Sequence, residues 1–388
     1  MSETNNQKAQ LHKDNYLSNL NLENSKKITK NEKVNGDLYW DSNISEYEID
    51  PSWKNHKIYK TKEYKEYRKK WAQASSGKYL ENFPLNIEME PTYYCNLKCP
   101  VCPRTVNIGE RQSQHMSTEI WNKFIKECSD NKLPSIQLDH EAESMMNPKF
   151  FEMLKQTTEN GIFDTWLHTN GQMLNEKNAR KLIEYGIKKL NISIDAVTKE
   201  TYEKIRVGGK YEKLLKNVER FLELKKEYKA DYLRVRVSFV EQTDNFHEKK
   251  DFFNFWKNKK GINTITFQRC MDVSPFEKSD PDSGLSEEEL EKKYSKDRPF
   301  FCYAPWETPT VEQSGKIAPC LKPVRNHNKD FYIGDLSKGD TISKAWKSKK
   351  MERLREIHSK GEWYKVNMCR TCVKVTRQAQ HEDFEPEN

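Results

Sequence analysis

Six short β-type runs alternate with longer amphipathic segments between residues 85 and 270, and this alternation constrains the fold more than any other feature. The runs read LNIEME, SIQLDH, FDTWLHT, KLNISID, LRVRVSFV and NTITFQRC. Each is followed by a segment long enough to return to the same end of the sheet, so we expect parallel strands covered by helices. The pattern predicts an α/β fold, either an open doubly wound sheet or a curved partial barrel.

The first of these runs leads directly into a loop with three cysteines. Cys95, Cys99 and Cys102 have the spacing Cys-x3-Cys-x2-Cys. Structural zinc takes four ligands, usually from two separated pairs, whereas a cubane iron–sulfur cluster presents one iron per corner and three thiolates can hold it. The loop therefore favours an iron–sulfur cluster with one open iron, placed at the C-terminal edge of the sheet where chemistry collects in both architectures.

A second set of cysteines lies in the last quarter of the chain. Its members are Cys302, Cys320, Cys369 and Cys372. Four thiolates in two distant groups complete a coordination shell, and their spacing alone leaves zinc and an iron–sulfur cluster equally open. Of the two remaining cysteines, Cys128 ends an amphipathic helix and is expected to be packed. Cys270 ends the sixth run at the same edge, where a thiol that donates or accepts a hydrogen atom or proton is conceivable, so it is a candidate catalytic residue beside the alternative of a buried structural thiol.

Charge and cysteine usage limit the cellular context and the partners. The formal net charge of +8 is spread over many lysines rather than gathered in one arm, so nucleic acid is not the expected partner. The sequence shows neither a secretion signal nor a long apolar run, which predicts a cytoplasmic protein without a membrane partner. In a reducing compartment, nine cysteines are expected to be metal ligands or reactive thiols rather than a disulfide framework.

Together the cysteine loop and three later strand ends resemble the radical S-adenosylmethionine (radical SAM) enzymes. The matching pieces are the loop at 93–102, the turn at 140–148, Thr-Asn-Gly at 169–171 and Ser-Ile-Asp at 193–195. The resemblance covers about residues 84–270 and implies a partial (β/α)6 TIM-like barrel. It also implies a [4Fe-4S] cluster on the three-cysteine loop that binds SAM.

The same resemblance suggests residues that contact SAM. Glu143 occupies the acidic position of the family's Gly-Gly-Glu-Pro turn, although the glycines are absent and Ser144 replaces the proline. Asn170 lies in the turn after the third strand. Ser193 and Arg206 resemble residues that hold the carboxylate or ribose of SAM, since a guanidinium binds a carboxylate bidentately. The alternatives are that Glu143 pairs with a surface lysine and that Arg206 is a solvated charge.

The second cysteine set resembles the twitch domain, the shortened relative of the SPASM domain. The resemblance rests on two motifs, Cys-x12-Gly-x4-Cys from Cys302 to Cys320 and the later Cys-x2-Cys pair at Cys369 and Cys372. Gly315, in the first motif, is expected at a hairpin turn. The resemblance implies one auxiliary [4Fe-4S] cluster in a small α+β domain. The expected organisation is an N-terminal arm at 1–80 that is partly disordered, a core at 81–270, a linker at 271–300, the auxiliary domain at 301–375 and a tail at 376–388.

The resemblance implies reductive cleavage of SAM to a 5′-deoxyadenosyl radical that removes a hydrogen atom from a substrate. An electron donor such as flavodoxin or ferredoxin is the implied partner. The substrate stays open between a small sugar-like alcohol, which would make the enzyme an oxidoreductase, and a peptide or protein side chain. A third hypothesis is a non-catalytic zinc-stabilised RNA-binding protein.

Overall fold

The computed structural model describes residues 26–27, 44–77, 79–106, 114–270, 282, 284–294, 302–321, 324, 329–370 and 372. The predicted tail at 376–388, and most of the predicted linker at 271–300, lie outside these residues. Among the described helices, none combines the length and the hydropathy that crossing a bilayer requires.

All described strands belong to one mixed sheet. In chain order they are β1 (Lys26–Lys27), β2 (Ile44–Glu48), β3 (Asn86–Met89), β4 (Ser135–Gln137), β5 (Asp164–Thr169), β6 (Lys189–Ser193), β7 (Arg234–Glu241), β8 (Thr264–Arg269), β9 (Thr310–Val311), β10 (Lys316–Ala318) and β11 (Gly334–Asp335). The six strands predicted from the sequence are β3 to β8, and each pairs in parallel with the next. This confirms the expected curved α/β sheet of the partial-barrel class.

Helices fill the crossovers between these strands and build the C-terminal region. They are α1 (Lys62–Ala74), α2 (Pro103–Val106), α3 (Thr118–Asp130), α4 (Phe150–Glu159), α5 (Glu176–Glu184), α6 (Lys199–Ile205), α7 (Tyr211–Glu227), α8 (Lys249–Lys257), α9 (Glu287–Tyr294), α10 (Ala304–Glu307), α11 (Ile342–Trp346) and α12 (Lys349–Ser359). Ser117 caps α3, since its hydroxyl accepts from the N–H of Ile120 at 3.2 Å. The segment expected as helical at 198–228 forms two helices, α6 and α7.

Alternation along the strands separates an apolar face from a polar face. On β7, the side chains of Val235, Val237 and Phe239 join the main hydrophobic core. The intervening Arg234 and Arg236 point to the opposite face. Burying each of the apolar side chains stabilises the fold by about 1.5–3 kcal/mol. The helices therefore cover the apolar face, and the inner face of the curved sheet is polar.

Both edges of the parallel sheet are extended by chain from outside the core. At one edge β2 pairs antiparallel with β8, and at the other edge β9 pairs in parallel with β3. The sheet order is accordingly β1-β2-β8-β7-β6-β5-β4-β3-β9-β10-β11. Neither extension follows from the sequence pattern. The pairing of β9 with β3 places the C-terminal cysteine region directly beside the strand that leads into the three-cysteine loop.

The N-terminal arm packs on the core through aromatic side chains, as the periodicity of α1 indicates. Tyr64, Tyr67 and Trp71 are buried on one face of α1. They form a cluster with Trp53 and with Trp306 from the C-terminal region. Residues 44–77 thus join both other regions. Helix α9 begins in a capping box, in which the hydroxyl of Ser286 donates to the carboxylate of Glu289 at 2.9 Å and accepts from the N–H of Glu289 at 3.3 Å.

Candidate cofactor site

Three thiols come together in the loop that follows β3. Cys99 is buried, and Cys95 and Cys102 are partly buried. Burial, with contributions from Glu141 and from the other two thiols, raises the pKa of Cys102 to about 12. Burial, with contributions from Glu143 and Cys99, raises the pKa of Cys95 as well. The side chain of Arg104 fastens the loop, because its Nε donates to the carbonyl of Tyr93 at 2.8 Å. The loop therefore holds three thiols close to one another at the C-terminal edge of β3.

Nitrogen donors surround the sulfur atoms of this loop. The N–H of Leu97 lies 3.5 Å from Sγ of Cys95, and Nδ2 of Asn170 lies 3.8 Å from the same sulfur. A guanidinium nitrogen of Arg206 lies 3.8 Å from Sγ of Cys99. Such donors stabilise thiolates and sulfur-ligated clusters, so the donor set fits an anionic iron–sulfur group.

Glu143 is buried against the turn that follows β5. Its carboxylate accepts from Oγ1 of Thr169 at 2.9 and 3.0 Å and from the N–H of Asn170 at 2.9 Å. Burial raises the pKa of Glu143 to about 7, although these hydrogen bonds act in the opposite direction. The alternative of pairing with a surface lysine is wrong, because only 2% of Glu143 is exposed. The two candidate residues Glu143 and Asn170 therefore form one unit.

Arg206 is held in an ion pair near the three-cysteine loop. One guanidinium nitrogen lies 2.5 Å from Oδ2 of Asp195, whose other oxygen accepts from the N–H of Val240 at 2.8 Å. Although burial alone would lower it, Asp195 and Cys99 raise the pKa of Arg206. The interpretation as a solvated charge is thus wrong. Ser193 ends β6, two residues before Asp195, and is partly exposed.

A chain of charged side chains crosses the polar inner face of the sheet. Nδ1 of His168 lies 2.9 Å from Oδ2 of Asp139, and Nε2 of His168 lies 3.0 Å from a guanidinium nitrogen of Arg236. Glu46 of β2 contacts Arg236 at 3.7 Å and Arg234 at 2.5 Å. Because arginine only donates, Nε2 of His168 accepts, and the proton of the imidazole lies on Nδ1 towards Asp139.

Next to this chain the amide of Asn191 lies at the wall of a small cavity. The cavity has a volume of about 20 Å³, enough for a water molecule, and Trp166, Lys189 and Arg234 also line it. Asn191 is 9% exposed, and its Oδ1 has no hydrogen-bond partner within the described part of the chain. The inner face therefore offers polar atoms to a small polar molecule.

The four C-terminal cysteines also converge. Burial, together with the thiols of Cys372 and Cys320, raises the pKa of Cys302 well above its ordinary value, and the pKa of Cys369 is raised by burial and by all three other thiols. The imidazole of His358 contacts this set, with Nε2 at 3.3 Å from Sγ of Cys369. Burial lowers the pKa of His358 to about 4, so its ring is neutral at physiological pH. Nothing in the sequence pattern pointed to this histidine.

Within the described residues, no three His, Cys, Asp or Glu side chains converge on a single metal ion. A cubane cluster sets a different requirement, because each thiolate binds a separate iron.

Cys270 follows β8 and is exposed. In the sheet order, four strands separate β8 from the β3 strand that leads into the three-cysteine loop.

A groove of about 700 Å³ runs beside the second cysteine set. Val366, from the segment that carries Cys369, forms part of its wall, and Leu354 and Ile357 of α12 contribute apolar surface. Its basic side chains are Lys349, Lys350, Arg353, Lys365 and Arg370. The groove is thus lined by apolar and basic side chains together with the acidic Asp330.

Comparisons with known proteins match two separate regions of the chain, one around each cysteine set. The family profile of the radical SAM superfamily matches residues 89–233, and that of the SPASM iron–sulfur cluster-binding domain matches residues 302–373. A probable GTP 3',8-cyclase of Methanococcus maripaludis is 31% identical over 148 residues, which are 38% of this chain and 47% of that protein. The chain therefore spans about half the length of these cyclase relatives.

Two other similarities extend further along the chain. The PqqA peptide cyclase of Gluconobacter oxydans is 22% identical over 264 residues, which cover 62% of this chain and 71% of that protein. Among solved structures, native anSMEcpe with bound AdoMet matches with a TM-score of 0.53 at 19% identity, covering 77% of this chain and 95% of that one. At this identity the structural match shows the fold alone.

Proposed function

We propose that this chain, a radical SAM enzyme with a C-terminal SPASM domain, oxidises a small polar substrate by hydrogen-atom abstraction. The observation that carries the proposal is the presence of two separate convergent cysteine sets, one of three thiols and one of four. The first set leaves a coordination position open, and the second leaves none. On this proposal the core spans residues 81–270 and the auxiliary domain spans residues 301–375.

The residues proposed as cluster ligands follow from this division. The SAM-binding [4Fe-4S] cluster is assigned to Cys95, Cys99 and Cys102. The auxiliary [4Fe-4S] cluster is assigned to Cys302, Cys320, Cys369 and Cys372. When bound, the first group supplies a 5′-deoxyadenosyl radical by one-electron cleavage of SAM, and the second exchanges single electrons.

The chain's own residues position SAM beside the three-cysteine loop. Ser193, partly exposed at the end of β6, is assigned to the polar part of SAM. Glu143 fixes the turn at Asn170, whose amide reaches Cys95. Arg206 acts through Asp195 and Cys99 rather than as a free ligand of the SAM carboxylate. These assignments make Ser193 a contact residue and Arg206 a positioning residue.

The polar inner face of the sheet supports a small alcohol as substrate. Removal of a hydrogen atom from the carbon of a secondary alcohol must be followed by loss of the hydroxyl proton and of one electron, which the auxiliary cluster, when bound, would accept. His168 is the assigned proton acceptor, because Asp139 fixes its tautomer with the lone pair on Nε2. A substrate hydroxyl that replaces the Arg236 contact would meet that lone pair. Cys270 remains an additional candidate for hydrogen-atom or proton transfer.

Modification of a peptide is the second candidate function. The similarity to the PqqA peptide cyclase favours it, since that match covers 71% of the relative. The two candidates differ in where the substrate must bind. A small alcohol uses the inner face around His168, whereas a peptide needs an extended surface.

The electron donor is proposed to dock at the groove beside Cys369. Flavodoxins and ferredoxins are acidic one-electron carriers, and the exposed basic side chains of Lys349 and Arg353 give charge complementarity. The apolar lining residues, which include Leu354, add contact area that excludes water. Because Val366 lines the groove, a docked carrier lies next to the segment that holds Cys369.

Iron content and SAM turnover test the proposal. The parent is expected to bind about eight irons per chain and to form 5′-deoxyadenosine with dithionite under anaerobic conditions. Cys99→Ala is expected to lose SAM cleavage, with Cys128→Ala as the matched control outside both sets. A Cys99→Ala variant that forms 5′-deoxyadenosine at the parent rate contradicts the assignment.

Substrate class is tested separately with pools of sugars and peptides. The reconstituted enzyme is incubated with SAM and each pool, and products are identified by mass spectrometry. Loss of two hydrogens from a sugar alcohol supports oxidation of a small substrate. Turnover of peptides alone contradicts it and establishes the second candidate.

A further inference from the structure

His358 of helix α12 contacts the second cysteine set. It lies in the last turn of α12, is 2% exposed, and places Nε2 at 3.3 Å from Sγ of Cys369. Its other ring nitrogen, Nδ1, is buried and has no hydrogen-bond partner within the residues the structure describes. The contact is within the range of an N–H donor to sulfur, for which distances are longer than to oxygen.

The two ring nitrogens are chemically distinguishable in this setting. A neutral imidazole carries one N–H, and a buried N–H without an acceptor costs about 1–3 kcal/mol. A buried nitrogen lone pair without a donor is tolerated better than an orphaned N–H. With a cluster bound, Cys369 would be a thiolate, and a lone pair on Nε2 would in addition face an electron-rich sulfur. The proton is therefore assigned to Nε2, which donates towards Cys369.

Helix α12 holds this donor in place. Nε of Arg355 donates to the carbonyl of Pro305 at 2.8 Å, three residues beyond Cys302. Leu354, one turn before His358 in α12, belongs to a small apolar cluster against which Cys369 also packs. The helix is thus tied to the neighbourhood of two of the four cysteines.

We propose that His358 is a positioning residue that raises the reduction potential of the auxiliary cluster by donating Nε2–H to the sulfur of Cys369. The proposal rests on the proposed function in one respect, that the four C-terminal cysteines hold an iron–sulfur cluster. Reduction adds negative charge to the cluster, so a donor to a ligand sulfur stabilises the reduced state more than the oxidised state. The auxiliary cluster then accepts an electron more readily than the same ligands without the histidine would allow.

The test isolates the auxiliary cluster in the full chain. A background with Cys95→Ala, Cys99→Ala and Cys102→Ala removes the three-cysteine set, so a single cluster titrates. Its midpoint potential is measured by electron paramagnetic resonance (EPR) in an anaerobic titration with dithionite. His358→Leu is expected to shift the potential to a more negative value. His358→Gln, which retains an N–H donor, is expected to restore part of the shift.

The outcomes separate this inference from the proposed function. The control His247→Leu, at an exposed histidine on the core, is expected to leave the potential unchanged. A background protein without any cluster overturns both the auxiliary-site assignment and the inference. A cluster whose potential is the same in the background protein and in its His358→Leu variant overturns the inference alone.

A measurement on the unsubstituted histidine guards against loss of the cluster in the leucine variant. In the three-alanine background, labelling with ¹⁵N-histidine and pulsed EPR detects nitrogen and exchangeable protons near the reduced cluster. A coupled ¹⁵N that disappears in His358→Gln is expected. Its absence from the protein that retains His358 refutes the hydrogen bond.

Discussion

The ion pair between Arg206 and Asp195 gives the most quantitative prediction. The two groups are 2.5 Å apart, and their side chains are 14% and 3% exposed. Removing one partner of a buried pair leaves an uncompensated charge and costs about 3–5 kcal/mol. Asp195 keeps a hydrogen bond from the N–H of Val240, so we expect Arg206→Met to cost about 3 kcal/mol, at the lower end of this range.

A double-mutant cycle isolates the contribution of the pair. Asp195 has a positive φ of 69°, a conformation that asparagine tolerates, so Asp195→Asn preserves the backbone while removing the charge. The double variant Asp195→Asn, Arg206→Met is expected to be about 2 kcal/mol more stable than the sum of the single costs predicts. The free energy of unfolding is measured in urea under anaerobic, reducing conditions on iron-free protein, with far-ultraviolet circular dichroism.

Measurements of SAM affinity distinguish residues that contact SAM from residues that stabilise the fold, with Ser193 and Arg206 as the two cases. Ser193→Ala is expected to weaken SAM binding without changing the free energy of unfolding, because Ser193 is partly exposed. Arg206→Met is expected to change mainly the free energy of unfolding. Additive single effects, within about 0.5 kcal/mol, combined with a selective loss of SAM affinity in Arg206→Met, would refute the structural role.

Three further predictions follow from individual contacts. Glu143→Gln removes a carboxyl whose pKa of about 7 exceeds the ordinary value of 4.5. The free energy of unfolding of the parent is therefore expected to fall by about 3 kcal/mol relative to that of the variant as pH rises from about 4.5 to above 7. Urea titrations of iron-free protein without SAM at several pH values measure this difference, and a difference that does not depend on pH contradicts it. The carboxylate of Glu127 in α3 accepts from two N–H groups at the start of α11, at 2.8 and 2.9 Å, so Glu127→Ala is expected to cost about 2–3 kcal/mol and to speed proteolysis of the C-terminal region; proteolysis at the parent rate speaks against that link. The double variant Lys349→Glu, Arg353→Glu is expected to slow SAM cleavage driven by reduced flavodoxin at least tenfold but to leave cleavage driven by dithionite unchanged. The control Lys213→Glu, at an exposed position on α7, is expected to change neither rate. Equal flavodoxin-driven rates in the parent and the double variant would contradict the docking proposal.

Much of the core fold could be predicted because its strands and helices carry regular apolar periods. The six parallel strands and the starts of α3 and α5 follow from alternation and from cap residues such as Ser117 and Asn175. The strand β2 was missed. Its Glu46 faces the arginines of the inner face and its Tyr47 packs in the hydrophobic core, so this five-residue strand is too short and too polar to show a clear apolar alternation. The strand β9 has only two residues and carries no period.

The candidate site could be predicted only where a motif has fixed spacing along the chain. The cysteine sets have such spacings, and the structure brings the members of each set together. The partner of Arg206 could not be anticipated, because Asp195 adopts a left-handed conformation that turns its carboxylate towards α6. His358 was also missed, since its contact with Cys369 depends on how α12 packs against a later segment. Contacts of this kind are set by tertiary packing rather than by local sequence.

The proposed SAM site requires that the three thiols after β3 hold a cluster with one iron open to SAM. The most direct test is EPR of the reduced protein in a background with Cys302→Ala, Cys320→Ala, Cys369→Ala and Cys372→Ala, recorded with and without SAM. We expect a [4Fe-4S] signal whose g-values change when SAM is added. A cluster signal that SAM leaves unchanged, or reduced protein without a cluster signal, would contradict it.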